Sequence, residues 1–317
     1  MFLPLRFYVN LLEKVLLNTK NNGDFMKILF IYPNTNSQLG FNYGVAHISS
    51  VLKQAGHEVE LWHLCEELKK LPTKEKFISD LQKAKPDIVG FSVVTNQWEY
   101  TKKLVYWVKE TVNIPVVCGG IHSLTSPQQV LKTGLFDYIF RGEAEFTFLK
   151  FVEKLSKGQG VKSIRSLGFV ESDVIYLNPL APLPDLKKLP PKDYEIFDFQ
   201  KMIDSKNGWV GLMASRGCPF SCSYCFNHLM VKQYRKDLQC SFKDLNYIRH
   251  FDIDLLINEI KYLTKNYKNI TMFICDDDLF SYDKNFVKEF CKEYKKICSL
   301  PFVINAHNAQ IEVLGTS

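Results

Sequence analysis

Three cysteines lie close together in the segment "ASRGCPFSCSYCFNHL", residues 214–229. Cys218, Cys222 and Cys225 have the spacing C-x3-C-x2-C, and no fourth cysteine lies beside them. Cysteine thiolates bind zinc or iron–sulfur clusters. A closed zinc site needs four ligands, and the nearest fourth candidate is His228, which would give C-x3-C-x2-C-x2-H.

That zinc spacing matches no common zinc module, and a single histidine after such a loop is more often an ordinary polar residue. A chance group of buried core thiols is also disfavoured, because Pro219, Ser221 and Ser223 make the loop polar. A [4Fe-4S] cluster held by three cysteines leaves one iron without a protein ligand, whereas an electron carrier is normally closed by four. The spacing therefore favours a cluster whose open iron binds and reduces a small molecule.

The elements that precede the cysteines alternate between short apolar runs and helical patterns. The runs "KILFIYP", "HEVELWHL", "DIVGFSVVT", "IPVVCGGIH" and "FDYIFRGE" are typical of strands buried on both faces. Between the first two runs, "GVAHISSVLKQAG" has helical apolar spacing and a stop signal at Gly56. This alternation predicts an α/β fold with a doubly wound, flavodoxin- or Rossmann-like parallel sheet over residues 26–155.

Ligands of such a sheet bind beyond the carboxyl ends of its strands. Glycines and polar residues at those ends are candidate ligand contacts, namely Ser92, Thr95, Gly119, Gly120, His122, Gly142 and Glu143. The glycine pair 119–120 is equally compatible with a tight turn between a strand and a helix. No GxGxxG follows the first strand, which disfavours a dinucleotide, and the phosphate-binding motif GxxxxGK followed by Ser or Thr is absent.

Changes of composition divide the rest of the chain. Residues 1–25 are predicted to be an amphipathic N-terminal extension, because charged residues interrupt the apolar start and no signal-peptide cleavage site follows. Residues 156–208 are predicted to hold a hairpin and a proline-rich linker. A second domain is predicted over residues 209–317, with strands near 209–214, 270–275 and 301–306.

Composition and charge limit the classes of function. The net charge is +6, and no basic stripe interleaved with aromatic residues indicates nucleic acid as a partner. No apolar run reaches the roughly 20 residues that a membrane span needs, so we expect none. The nine cysteines are an odd number, and some lie inside apolar runs, as Cys118 does. Reduced thiols and a cytoplasmic location are therefore expected.

A resemblance to a known family rests on these same segments. The string "SRGCPFSCSYCF", which follows the strand-like "WVGLMAS", resembles the cysteine motif of the radical S-adenosylmethionine superfamily and is similar to its cobalamin (B12)-binding branch. The segments "GVAHISSVLKQAGHEVEL", "GFSVVT", "VVCGGIHSLTSPQQVL" and "YIFRGEAEFTF" resemble the N-terminal B12-binding domain of that branch. The resemblance covers residues 26–317.

The resemblance implies three cofactors. Cys218, Cys222 and Cys225 would hold a [4Fe-4S] cluster, whose free iron would chelate the amino and carboxylate groups of S-adenosyl-L-methionine. One electron would then cleave that cofactor to a 5′-deoxyadenosyl radical. The candidate contacts at the strand ends of residues 26–155 would bind cobalamin.

The resemblance also implies contacts to S-adenosylmethionine. Tyr224 and Phe226 would lie close to its adenine or to the cluster. The segment "NITMFICDDDLF" resembles the family's second strand and its acidic end, which would place Asp276, Asp277 and Asp278 near the cofactor. From the residues alone, these aspartates are equally compatible with helix capping and solvation ahead of the helix that follows.

Two departures from the family limit what the resemblance implies. The D-x-H-x-x-G motif that supplies a lower axial histidine to cobalt in some B12 proteins is absent, so no cobalt ligand can be named. Residues 209–317 are also too few for the whole partial (β/α) barrel of the family, so a truncated barrel that contains only its N-terminal half is expected.

The leading functional hypothesis is a cobalamin-dependent radical enzyme that transfers a methyl group to an unactivated carbon. One alternative is a radical enzyme of the same superfamily without methyl transfer, and another is a non-catalytic B12- or iron–sulfur-binding protein. The resemblance implies a small-molecule or peptide substrate, which the sequence does not identify. It also implies an electron donor such as flavodoxin or ferredoxin.

Overall fold

The computed structural model describes residues 25–304. The predicted amphipathic extension, apart from its last residue, lies outside the described residues. The same holds for the last two residues of the strand that was predicted near 301–306.

A seven-stranded sheet forms the first half of the molecule, in the order β2-β1-β3-β4-β5-β6-β7. Its strands are β1 (Lys27–Pro33), β2 (Glu58–Leu64), β3 (Ile88–Ser92), β4 (Val116–Gly119), β5 (Tyr138–Phe140), β6 (Leu167–Glu171) and β7 (Val174–Leu177). The first five strands pair in parallel, as their apolar runs predict. The last two pair antiparallel.

Helices cover both faces of this sheet. They are α1 (Tyr43–Gln54), α2 (Lys74–Ala84), α3 (Trp98–Thr111), α4 (Ile121–Thr125), α5 (Pro127–Lys132) and α6 (Glu145–Ser156). One buried cluster joins one face of the sheet to α2, α3 and α5, and another joins the opposite face to α1 and α6. The predicted doubly wound α/β arrangement is confirmed. No helix within residues 25–304 is long and apolar enough to cross a membrane.

The predicted hairpin is present as β6 and β7, and it belongs to the first sheet. Strand β6 pairs antiparallel with β5, so that Phe140 lies opposite Leu167 and Tyr138 opposite Phe169. Pairing of this kind covers the backbone groups that β5 would otherwise leave open at the edge of the parallel sheet. The first sheet therefore extends beyond residue 155, the boundary that the sequence predicted.

The second half of the molecule is built on a smaller parallel sheet in the order β12-β11-β8. Its elements are α7 (Phe199–Ser205), β8 (Trp209–Leu212), β9 (Ser215–Arg216), α8 (Asn227–Leu238), α9 (Phe242–Leu245), β10 (Arg249–His250), α10 (Ile253–Asn266), β11 (Met272–Cys275), α11 (Lys284–Ile297) and β12 (Phe302–Ile304). Strands β9 and β10 form a separate antiparallel pair. The three predicted strands thus correspond to β8, β11 and β12.

One buried cluster connects the two sheets. It contains Ala46 and Val51 of α1 together with Val210 and Phe273 of the second sheet. The proline-rich segment, described by the sequence as a linker, contributes Tyr194 and other apolar side chains to the same cluster. This segment has almost no regular structure because its prolines lack backbone donors, yet it is packed rather than exposed.

Candidate functional site

A cleft of about 400 Å³ separates the carboxyl edge of the first sheet from the cysteine-containing half of the molecule. The first sheet and its helices contribute Asn42, Tyr43, Ser92, Gly119, Gly120, Gly142 and Glu143, among others. The second half contributes Arg216, Gly217, Phe226, Asn227, Tyr247, Asp276 and Asp278. The cleft therefore brings residues of both predicted cofactor regions to one place.

Two glycines of the cleft have backbone conformations that L-residues rarely adopt. Gly120 has a φ of 89°, and a Cβ on it would lie 2.6 Å from the carbonyl oxygen of Val93. Gly142 has a φ of 76°, and a Cβ on it would lie 2.1 Å from the hydroxyl of Tyr234. Gly120 makes the tight turn that the sequence allowed, and both glycines of the pair at 119–120 line the cleft, so their contact to a ligand stays a prediction.

Gly119 differs from these two glycines. The nearest atom to a Cβ on Gly119 would be the carbonyl oxygen of Phe91, at an ordinary 3.8 Å. Its missing side chain therefore leaves space in the cleft rather than relieving a strained turn. This open cradle is the feature that fits a bulky planar ligand such as cobalamin.

Thr95 and His122 do not line the cleft as the sequence predicted. The hydroxyl of Thr95 lies 3.1 Å from Nδ1 of His122, and the buried imidazole packs on Trp98 with ring centroids 4.7 Å apart. Burial lowers the pKa of His122, which favours the neutral ring. These two residues lie behind the turn that carries Gly120.

The sequence did not single out Asn42, although it organises this edge of the cleft. Its side-chain oxygen accepts from the backbone N–H of Val45 at 3.0 Å, which caps α1. Its amide nitrogen donates to the hydroxyl of Ser92 at 2.9 Å, and that bond connects α1 to the end of β3. The preference of asparagine for the position before a helix was a usable signal.

Glu143, which the sequence assigned to cobalamin, is bound instead by two arginines. Nη1 of Arg216 lies 2.5 Å from one carboxylate oxygen, and Nη2 of Arg249 contacts the other. Arg216 also reaches Glu145 at 2.7 Å. Burial alone would raise the pKa of Glu143, but the charges of Arg216 and Arg249 outweigh burial and lower it. The assignment is corrected because both oxygens already have charged partners from the other half of the molecule.

The cysteine loop runs between β9 and α8. Cys218, Cys222 and Cys225 are half-buried free thiols, and the N–H of Cys225 donates to the carbonyl of Cys222 at 3.0 Å. The N–H of Asn227 points at the Sγ of Cys225, 3.5 Å away. Three thiols on one short loop fit an iron–sulfur cluster in the chemistry of their donor atoms.

The spatial arrangement of these donors is a separate matter. Nowhere in residues 25–304 are three or more His, Cys, Asp or Glu side chains arranged so that they could hold a metal ion. His228, the fourth ligand of the zinc alternative, has a buried Nδ1 with no hydrogen-bond partner and lines the same cavity as Cys218.

The two aromatic residues of the loop have different environments. Phe226 lines the cleft, whereas the side chain of Tyr224 is 90% exposed and does not. Tyr224 lies between Cys222 and Cys225 on the cysteine loop, so the contacts of both residues to the adenine or to the cluster stay predictions.

The three aspartates after β11 also differ in their environments. Asp276 accepts from the hydroxyl of Tyr43 at 2.5 Å and lines the cleft with Asp278. Asp277 is buried, and its two oxygens accept from the N–H of Ala214 and the hydroxyl of Ser215. Burial raises the pKa of Asp277.

The role predicted for Asp277 is therefore corrected. Its carboxylate fixes the backbone just before the cysteine loop and is not open to a cofactor. The capping part of the alternative is also wrong, because Asp283 caps α11 by accepting from the N–H groups of Asn285 and Phe286. Asp276 and Asp278 are exposed, as the solvation part of that alternative expects.

Comparison with known proteins shows which other proteins are similar to this chain in sequence and in fold. The B12 binding domain family matches residues 35–152. The chain is 29% identical to an uncharacterized methyltransferase of Pyrococcus horikoshii over 252 residues, which are 75% of this chain and 53% of that protein. It is 28% identical to the anaerobic magnesium-protoporphyrin IX monomethyl ester cyclase of Rubrivivax gelatinosus over 288 residues, which are 86% of this chain and 48% of that protein. The chain thus spans about half the length of these relatives.

Solved structures share the fold at low sequence identity. The cobalamin-dependent S-adenosylmethionine radical enzyme OxsB superposes with a TM-score of 0.70 at 17% identity, over 88% of this chain and 38% of that one. The radical S-adenosylmethionine methyltransferase TsrM from Kitasatospora setae superposes with a TM-score of 0.68 at 16% identity, over 86% of this chain and 52% of that one. The chain therefore contains a region similar to the B12 binding domain family, and it shares its fold with cobalamin-dependent radical S-adenosylmethionine enzymes.

Proposed function

We propose that this chain is the cofactor-binding part of an enzyme that uses cobalamin and a [4Fe-4S] cluster to cleave S-adenosylmethionine and methylate an unactivated carbon. The observation that carries the proposal is the cleft. Glycines at the strand ends of a B12-type sheet form one wall, and the base of a three-cysteine loop forms the other. A methyl group that passes between two cofactors needs both of them at one cavity.

Each half of the cleft would serve one cofactor. Cys218, Cys222 and Cys225 would hold the cluster, which supplies the electron for cleavage of S-adenosylmethionine when it is bound. Asp276, oriented by the hydroxyl of Tyr43, is available to accept from polar hydrogens of that cofactor. Phe226 supplies an apolar surface at the same wall.

The opposite wall would receive cobalamin. The open space at Gly119 allows a large ring to approach the backbone, while Ser92 is held by Asn42 at the floor of the cleft. No residue is assigned as a cobalt ligand. The chain's contribution here is shape and exclusion of water from the cavity.

A second outcome of the same chemistry is favoured by some relatives. Several curated relatives are cyclases named for a magnesium-protoporphyrin monomethyl ester, and one of them is 27% identical over 84% of this chain. We infer that a radical reaction without methyl transfer is the alternative to test. The two outcomes leave different products, since methyl transfer converts S-adenosylmethionine to S-adenosylhomocysteine.

The cysteines support a reducing compartment for this activity. All nine are free thiols in the structure, including the fully buried Cys118. Burial raises the pKa of the Cys118 thiol far above its usual range, so that it stays protonated and inert. We propose a cytoplasmic location, where thiols of this kind persist.

The decisive experiment is anaerobic reconstitution of the full chain. We expect about four irons and four sulfides per chain, and their loss when the three loop cysteines are replaced by alanine. Stoichiometric zinc in the wild-type protein, or retention of iron in the triple variant, would contradict the proposal. S-adenosylhomocysteine among the products of a turnover assay would support methyl transfer over the alternative.

Cobalamin binding is tested separately with a matched pair of glycines. Gly119→Leu should fill the cleft and weaken hydroxocobalamin binding by about tenfold or more, measured by the change in the cobalamin absorption spectrum. Gly160→Leu is the control, because a Cβ there meets nothing within 4 Å, a Cβ on Gly119 meets only an ordinary contact, and Gly160 does not line the cleft. Equal hydroxocobalamin binding by both variants would contradict the proposal that cobalamin binds in the cleft.

A further inference from the structure

The cysteine loop has two sides. One side faces the cleft, which Gly217, Phe226 and Asn227 line. The other side forms the floor of a second cavity of about 550 Å³, lined by residues 218–221 and by the outer face of α8. Cys218 therefore lies under a surface that is separate from the cleft where the cofactors are proposed to meet.

Three cations border this second cavity. Lys232, Arg235 and Lys236 are exposed residues of α8 that line it. Within residues 25–304 none of the three forms an ion pair with a carboxylate, although Lys27, Lys109 and other surface lysines do. We call these three residues the α8 rim.

Nearby carboxylates do not neutralise the α8 rim. Asp237 is turned inward, where it accepts from the N–H of Leu180 at 2.9 Å and pairs with Arg141. Asp244 is exposed, but it accepts from the hydroxyl of Ser241 at 2.6 Å at the start of α9. The rim is therefore a small cationic surface directly beside a predicted cluster ligand.

We propose that the α8 rim is the docking surface for a small acidic one-electron carrier protein of the flavodoxin type. The inference rests on the proposed function, since it assigns to this surface the entry of the electron that the cluster needs. One electron leaves the reduced flavin of the carrier, which is thereby oxidised by one electron. The same electron reduces the cluster by one, and no bond forms or breaks.

The position of the rim favours a protein partner over a substrate. A carrier seated on the outer face of the loop approaches Cys218 without blocking the cleft, so electron entry and substrate binding do not compete. Unpaired cations attract a negatively charged partner and speed its association by factors of about 10 to 1,000 in favourable cases. That attraction weakens as salt concentration rises.

The test measures electron transfer to the reconstituted full chain by stopped-flow spectroscopy, with chemically reduced flavodoxin as the donor. The charge-reversal variant K232E/R235E/K236E should lower the second-order rate constant about tenfold at low ionic strength. The difference should vanish in high salt, where surface charges are screened. A milder K232Q/K236Q variant should give an intermediate decrease and protects the test against misfolding of the triple variant.

A matched control carries the same change of net charge at the other end of the second sheet. Lys261 and Lys265 are exposed residues in the second half of α10, and the exposed Lys268 follows that helix before β11 begins. K261E/K265E/K268E should leave the rate constant within about twofold of the wild-type value. An equal decrease in this control would show an effect of total charge and overturn the proposal.

Dithionite separates this inference from the proposed function. The small reductant needs no docking surface, so it should reduce the cluster of wild-type and rim variants at similar rates. A wild-type chain whose cluster dithionite cannot reduce would contradict the proposed function itself. If dithionite reduces the cluster normally and the rim variants leave the flavodoxin rate unchanged, only the proposal of the docking surface is overturned.

Discussion

At the scale of single residues, Glu143 connects the two halves of the cleft by charge. It follows β5 of the first sheet, while its partners Arg216 and Arg249 belong to the β9–β10 pair of the second half. All three side chains are largely buried, so their charges are weakly screened. A buried carboxylate between two guanidinium groups is stabilising only while every member of the set is present.

We predict that Glu143→Gln lowers the free energy of unfolding by about 2 kcal/mol near pH 7, measured by urea denaturation. The folded-state pKa of Glu143 is lowered below its ordinary 4.5, so its stabilising effect is full above about pH 5. That effect is lost as pH falls through the folded-state pKa. The difference between wild type and variant should therefore shrink only in acid.

Glu58→Gln is the control for this prediction. Glu58 pairs with Lys27 at 2.8 Å, but its side chain is 49% exposed. An exposed pair contributes at most about 1 kcal/mol. If Glu143→Gln is no more destabilising than Glu58→Gln, the charged contact does not hold the two halves together.

Sequence reasoning identified the chemistry of residues better than their partners. The three cysteines and the glycines carry their signal in local spacing. Glu143 and Asp277 were misassigned because the groups that bind them lie far away along the chain, as Arg249 and Ala214 do. Residue type alone does not distinguish a side chain whose polar atoms are bonded within the fold from one that binds a ligand.

At the scale of elements, the turn after β5 fits closely against α8. The N–H of Glu143 donates to the hydroxyl of Tyr234 at 2.9 Å, and Gly142 lies directly beneath that hydroxyl. Tyr234 is almost fully buried. This contact sets how closely the first sheet approaches the helix that follows the cysteine loop.

We predict that Gly142→Ala destabilises the protein by about 3 kcal/mol in urea denaturation, because backbone strain adds to a collision with Tyr234. Gly134→Ala is the matched control: its φ is also positive, at 66°, but nothing lies within 4 Å of its Cβ. Only the strain of about 1 kcal/mol should remain there. Adding Tyr234→Phe to Gly142→Ala should restore part of the loss, and no recovery would argue against the collision.

The elements that sequence reasoning predicted well are those whose apolar pattern is complete within one segment. Strands β1 to β5 and their helices are of this kind. The hairpin of β6 and β7 was predicted but placed outside the first sheet, because pairing with β5 is not visible in its own residues. The proline-rich segment was likewise judged by its composition, which does not show that Tyr194 and Phe197 are buried.

At the scale of the whole molecule, the two sheets share a core. Ala46 and Val51 of α1 pack in one cluster with Phe273 of β11, and Tyr194 of the proline-rich segment completes it. Neither sheet keeps its full apolar contacts without the other. We therefore expect the central strands of both sheets to unfold in one cooperative transition.

Native-state hydrogen exchange tests this expectation. Amides of β4 and β11, which are paired on both sides, should exchange with similar free energies close to that of global unfolding. Amides of β12 should exchange through local opening, because within the described residues this strand pairs only with β11 and over three positions. Strand β2 is the control edge, since it also has one partner but pairs over seven positions. Weaker protection of β11 than of β4 would show that the sheets unfold separately, and protection of β12 equal to that of β4 would show that the edge does not open alone.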